Sequence, residues 1–347
     1  VFSRALPFCN GGSIIGTPRN LRFPATESDA WRVTVSFKQS YRKECRVKSI
    51  DLGTFVRLGN LAEKTLRAPS SRGLSPEPRC PADLLVRRED VVFLDGRLKG
   101  DELKWDVPAG EWTVYRMVEA SNGFGCLPAT PGGSGLEIDK FDRRALEKHV
   151  AAFLGRMARL CEIDPASDPA KRSGFVTALI DSYEPGGQNW GANFAAEFRR
   201  RRGYDVVSPL LPALAGRVVA SAEETDRFLE DFRKTCAELF RENYADAFTD
   251  CVHALGLQSA IEPYGEAPAP NFTFATNCDL PMAEFWLRPG QVYVPPTVVG
   301  VAEMARAHGH RIVQSESFTS KPADDDWKQP ISIYKAQGDK VYAAGVN

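Results

Sequence analysis

The rhythm of apolar and polar positions changes along this chain and divides it in two. In residues 1–111 the apolar runs are short: Trp31 to Phe37 (WRVTVSF) alternates as a half-buried strand does, Ser49 to Leu52 and Val91 to Leu94 read as further short strands, and Asp95-Gly96 as a hairpin turn. Ala68 to Pro81, rich in Pro and Ser, reads as loop. From Trp105 the texture differs. WDVPAGEWTVYRM carries a Pro-Ala-Gly turn into a strand from Trp112 to Met117, after which apolar runs alternate with long amphipathic patterns. Helices are predicted over Ala145 to Leu160, Phe194 to Arg202, Ala222 to Leu255, Thr297 to His308 and Ile331 to Gln337. Strands are predicted over 174–181, 258–263, 280–286, 311–317 and 340–346.

That alternation predicts an α/β chain with a parallel sheet wrapped by helices. Counting from Trp112 gives six strands, so the expected architecture is a (β/α)8 TIM-type barrel present in part, its first two strands lying upstream. The division is then a β-rich region at 1–111, sandwich-like or an insertion, and a barrel portion at 112–347. An open doubly wound sheet is the alternative, but Gly132-Gly133-Ser134-Gly135 is not followed by Lys-Ser/Thr, so no phosphate loop supports it.

Two stretches carry the candidate chemistry. The apolar run Phe175 to Ile180 ends in Asp181-Ser182-Tyr183-Glu184 and then Pro185-Gly186-Gly187; Ile312-Val313 leads similarly into Gln314-Ser315-Glu316-Ser317-Phe318-Thr319. Polar groups at the carboxyl ends of buried parallel strands are where α/β barrels hold their active sites. A glycosidase needs two carboxyl groups facing one bond, one donating a proton and one acting as base or nucleophile, and Glu184 and Glu316 are the candidate pair. The plainer readings are a solvated turn acid for Glu184 and a structural buried acid for Glu316. Asp181, Tyr183, Gln188, Asn189 and Trp190 favour a sugar site, since an indole and amide donors suit a sugar face and its hydroxyls. Glu262 with Tyr264 (IEPYGE) and Glu284 with Trp286 (MAEFW) occupy equivalent stations, where the acids would bind sugar hydroxyls or a hard cation such as Ca²⁺.

Charge and composition narrow the classes. Among 347 residues, 44 Lys and Arg nearly balance 45 Asp and Glu, which argues against a nucleic-acid partner held by bulk electrostatics. No segment approaches the roughly 20 apolar residues of a membrane span, and no charged-then-apolar leader follows Val1, so a processed or cut start is expected. The eight cysteines form no CxxC pair, and Cys236 and Cys251 read as apolar helix filler. Arg199 to Arg202 reads as the solvated end of a helix. His149 lies on an apolar helix face, and His308 and His310 precede their strand at the rim away from Glu316. Ser182 and Ser317 have neither a His partner nor a GxSxG elbow.

In WDVPAGEWTVYRM, GLEIDKFD, DSYE with QNW, EFRRRRGYD, RFLEDFRKT, IEPYGE, PMAEFW, ESFTS and GDKVYAAGVN, in that order from Trp105 to Asn347, the chain resembles glycoside hydrolase family 106, the α-L-rhamnosidases. The resemblance implies a (β/α)8 barrel decorated with β-domains, and inverting hydrolysis of terminal α-L-rhamnosides with Ca²⁺ in the sugar site. By motif, Glu184 becomes the general acid, Glu316 the general base, and Glu284 and Glu262 sugar- or calcium-site residues. It further implies a rhamnose-containing glycan or rhamnoside as partner and a secreted or periplasmic setting. A retaining glycosidase, and a non-catalytic carbohydrate binder stacking sugars on Trp190, Trp286 and Tyr264, remain the other readings.

Overall fold

The computed structural model describes residues 28–34, 49–50, 52–53, 56–67, 74, 76–125, 129–172, 174–288, 290–322 and 328–347. Its strands are β1 (Leu98–Lys99), β2 (Glu102–Leu103), β3 (Thr177–Ile180), β4 (Gln258–Ile261), β5 (Leu280–Trp286) and β6 (Gln314–Thr319). Its α-helices are α1 (Leu61–Lys64), α2 (Arg143–Ala152), α3 (Leu154–Leu160), α4 (Phe194–Arg202), α5 (Ala222–Phe240), α6 (Ala247–Ala254), α7 (Pro296–Ala307) and α8 (Ser332–Ala343).

The sheet that organises the rest is parallel and ordered β3-β4-β5-β6, each strand beside the next in sequence. β5 shows why: Ala283 and Phe285 are buried while Met282, Glu284 and Trp286 are half-buried, so one face meets helices and the other the strand-end chemistry. Between β3 and β4 runs the long helical segment. Ser221 caps α5 by accepting from the Glu224 N–H (3.0 Å), and Phe228, Leu229, Phe232, Cys236, Leu239 and Phe240 line its buried side. A π-helical turn over Arg241–Asp246 joins α5 to α6. α7 connects β5 to β6 and packs on β5.

Several expected elements differ. Trp112 to Met117 forms no strand; Val114 and Met117 are exposed, because an alternating segment without a neighbouring strand has no ladder to join. Val91 to Leu94 is also outside any ladder, and the hairpin turns at Gly100-Asp101 between β1 and β2, not at Asp95-Gly96. Residues 31–34, 49–50 and 52 carry no strand, while 35–37 and 51 lie outside the described residues. The helix over Ala145 to Leu160 breaks at Phe153, which is exposed together with Leu160. The final strand, Lys340 to Val346, is instead the last turn of α8 and the three residues after it: Gln337, Gly338 and Val341 are buried at helical spacing, and Lys335 pairs with Asp339 one turn on. Among the described residues the parallel sheet therefore has four strands where six were expected after residue 112.

The segment before residue 111 shares the core with the helices. Leu58, Leu61 and Leu66 join the apolar cluster, and Lys64, 2% exposed, donates to Glu77 (2.8 Å) and to Asp226 on α5 (2.7 Å). Arg201 and Arg202 correct the expectation of a solvated basic helix end. Both are largely buried: Arg201 meets Glu197, Glu238 and Glu242, and Arg202 meets Glu238 and the Thr235 hydroxyl, tying α4 to α5.

Candidate active site

Continuing the β3–β4 pairing past Ile180 and Ile261 puts Asp181 beside Glu262, and Glu284 pairs with Glu316 across β5 and β6. Carboxylate oxygens of Asp181, Glu262 and Glu316 all lie within 4.8 Å of one another. β3 and β6 are the outer strands of this sheet. At about 4.8 Å per strand step a flat sheet would hold them about 14 Å apart. The convergence means that the sheet curls, as half of a barrel does, and aims its strand-end acids inward.

Among the described residues no Lys or Arg forms an ion pair with Asp181, Glu262, Glu284 or Glu316. Glu262 is 1% exposed and neither of its oxygens has a hydrogen-bond donor. Its pKa is pushed up to about 9, first by burial, then by the adjoining Asp181 carboxyl and by the charges of Glu284, Asp181 and Glu316. Burial likewise raises Glu284, with Glu316, Glu184 and Asp181 adding to it, while the Trp286 indole N–H donated to Glu284 pulls the other way. Tyr264 is raised by burial and by Glu284, Glu184 and Glu262, which places its phenol among the acids. Glu316 accepts from the Thr319 hydroxyl, and Glu184, exposed, accepts from the Ser182 hydroxyl (3.0 Å).

Glu184 is set by its neighbour strand. Tyr183 bridges Gly265 in parallel, with Tyr183 N donating to the Tyr264 carbonyl (3.0 Å) and Glu266 N donating to the Tyr183 carbonyl (2.8 Å). Gly265 has φ +99°, and a Cβ there would fall 2.1 Å from the Tyr183 oxygen, so only glycine permits this approach. The bridge puts Glu266 alongside Glu184, and burial followed by the Glu184 charge raises the Glu266 pKa. Glu266 is the residue that the sequence reading passed over; its only signal was being the second acid of IEPYGE.

Other candidates go elsewhere. Tyr183 is buried with its ring edge-on to Phe240 at 5.2 Å, and burial raises its phenol, so it walls the core instead of touching a ligand. The Asn189 amide donates to the Thr65 carbonyl (2.7 Å), Trp190 packs on Phe194 at 4.7 Å, and the Gln188 amide is held by Asp139 and Lys140. Trp286 and Tyr264 stay with the acids. A cleft of about 730 Å³ lined by Leu85, Arg88, Tyr204, Arg227 and Phe228 contains none of the strand-end acids.

The family model described as alpha-L-rhamnosidase, glycoside hydrolase family 106, matches residues 25–347. The chain belongs to that family. A solved rhamnosidase from Novosphingobium sp. PP1Y superposes with a TM-score of 0.65 at 26% identity, covering 85% of this family 106 chain and 28% of that one. A Formosa agariphila protein provisionally named a beta-glucuronidase is 33% identical over 297 residues, which is 84% of this chain and 24% of that protein. The chain thus spans about a quarter of the length of these relatives. The curled sheet and its acids lie within the residues that the family model matches. No helix among the described residues is long and apolar enough to cross a membrane.

Proposed function

We propose that this family 106 chain carries the site of an inverting α-L-rhamnosidase acting on rhamnosides or rhamnose-containing glycans in a secreted or periplasmic setting, on a (β/α)8 barrel that its four parallel strands form in part. The observation that carries the reading is the convergence of Asp181 and Glu262, just past the ends of β3 and β4, with Glu316 inside β6, and Glu284 of β5 in register with it. Glu184 gives its proton to the glycosidic oxygen as the bond to the anomeric carbon breaks. Glu316 takes a proton from the water that attacks that carbon from the opposite face, releasing the aglycone and rhamnose of inverted configuration. Glu262, Glu284, Tyr264 and Trp286 hold the sugar, the indole and phenol offering flat apolar faces beside polar atoms.

A hard cation fits this donor set. Glu262 has two buried oxygens without donors, and Asp181 and Glu284 add like charge that an ion would balance. Asp181, Glu262 and Glu284 would hold Ca²⁺. When bound, it would neutralise the acids and orient vicinal sugar hydroxyls. Without it, Glu262 keeps its own proton, as its raised pKa requires.

The test is release of rhamnose from an aryl α-L-rhamnoside by the full natural polypeptide, with and without a calcium chelator, with the first-formed anomer followed by NMR. The name of the Formosa relative suggests a second substrate, an aryl β-D-glucuronide, to be run beside it. A uronate would bring a further negative charge to a site already rich in acids, so a neutral deoxy sugar is the better match. Faster turnover of the glucuronide, or release of the retained anomer, overturns the corresponding part of the reading.

A further inference from the structure

The pairing of β5 with β6 slips at one point. Glu284 opposes Glu316, but Trp286 opposes Thr319, so Ser317 and Phe318 together face Phe285. This is a β-bulge with one extra residue on β6. Its effect follows from the alternation of strand faces: without it, residue 318 would share the face of Glu316 and Thr319 would point away. With it, Thr319 comes round to donate its hydroxyl to Glu316, and the Phe318 ring turns to the helix side.

The bulge is held by an unfavourable backbone. Phe318 has φ +59°, the left-handed region that a bulky aromatic rarely enters. Its ring sits between Phe285 (4.8 Å between centroids) and Tyr334 of α8 (5.1 Å). Gly338 of α8 leaves room for it, since a Cβ there would lie 3.2 Å from the ring tip. A glycine at 318 would suit the dihedral better but would leave that slot empty. The ring is therefore what pins the bulge.

We propose that Phe318 is a positioning residue for the reaction, its ring anchored against Phe285 and α8 so that the bulge delivers Thr319 to Glu316 and fixes the direction of that carboxylate. The inference rests on Glu316 being the base. In the full natural polypeptide, Phe318→Gly keeps the dihedral and removes the anchor, and Gly338→Ala presses on the ring from α8. Both are expected to lower kcat, Phe318→Gly by roughly 10- to 100-fold, with KM within about threefold, since a misaimed group costs rate at unchanged affinity. Phe228→Leu, in the core on α5, serves as the control: a comparable fall in melting temperature with kcat kept. The deciding measurement is a double-mutant cycle: Phe318→Gly added to Glu316→Gln should cost nothing further in kcat. Full additivity, or unchanged kcat in Phe318→Gly, overturns the positioning role. Should Phe318→Gly fail to fold, Gly338→Ala takes its place in the cycle and is read by the same rule. An active Glu316→Gln instead overturns the assignment of the base, so the two failures are told apart.

Discussion

Two regions of this molecule bury charge in opposite ways. Around α4 and α5 buried charges are held in ion pairs: Lys64 lies between Glu77 and Asp226, and Arg201 and Arg202 share Glu197, Glu238 and Glu242. Along β3 to β6 the acids face one another with no ion-paired Lys or Arg among the described residues, and Glu262 has no hydrogen-bond partner there. Burying a paired ion costs desolvation that its partner offsets, whereas like charges held together add repulsion to that cost. An arrangement that opposes folding persists where something else requires it, and the proposed sugar chemistry is such a requirement. The contrast separates residues that hold the fold from residues that the fold holds in place.

The largest expected effect falls on the acid side. Glu184→Gln should lower kcat on a rhamnoside with a poor leaving group by about 10²- to 10⁴-fold, the usual worth of a general acid, and much less with a nitrophenyl aglycone that needs no protonation. Equal losses on both substrates would remove Glu184 from that role. On the paired side, Lys64→Met should cost about 3–5 kcal/mol in urea unfolding, because Lys64 bridges Glu77, only 3% exposed, and Asp226 of α5. A loss under about 1 kcal/mol would mean that the remaining bonds of Glu77, the Gly59 N–H among them, suffice.

pH should act on the same network. The bond from Arg200 holds Glu197 below the ordinary glutamate value of 4.5, and Arg201 does so for Glu242; at Glu238 burial pushes upward but Arg202 and Arg201 outweigh it. Carboxyls depressed by folding stabilise fully above about 4.5, and that contribution drains as pH falls through their lower folded values. The urea midpoint should therefore fall below pH 4.5, and Arg201→Met should flatten the fall. A smaller effect of opposite sign is expected at Glu262→Gln, which removes a carboxyl that folding obliges to hold a proton well above the ordinary 4.5: in chelator at neutral pH the melting temperature should rise by a few degrees while affinity for Ca²⁺ or sugar drops. A drop in melting temperature there would place Glu262 with the paired acids. Smallest is Asn189→Ala, which should cost about 1 kcal/mol of stability, the worth of its bond to the Thr65 carbonyl, and leave KM alone.

What could be read from the sequence follows the range of the forces involved. β3, β4, β5, α4 and α7 were legible because each is written in a local run or repeat of burial, whereas β6, expected at 311–317, runs over Gln314–Thr319 with Ile312 exposed before it; Phe194 to Arg202 ends at Gly203 with φ +80°, a stop signal carried by one residue. The acids at strand ends were legible too, as polar groups placed where an apolar run stops. Their convergence was not, since it depends on how far the sheet curls, and no local pattern carries that. Asn189 and Trp190 misled because amide and indole serve a core as readily as a sugar. VYAAGV misled at the end of the chain: its apolar run suits a strand, but α8 already had one side to bury. The basic run at 199–202 was half right, with Arg201 and Arg202 drawn inward by acids on α5 that lie far along the chain.

The wide turn over Arg241–Asp246 has a consequence for how this protein can vary. Such a turn holds one residue more than regular winding needs, and here it lets Asn243 reach the Phe141 carbonyl at 2.8 Å. Dropping a single residue here would return the turn to regular winding with Phe248 and Val252 still facing the interior, whereas the same deletion within α5 or α6 would swing everything after it by roughly 100° about the axis. Homologues should accordingly gain or lose one residue in this turn with little harm to the core, giving up the Asn243 contact when it is lost.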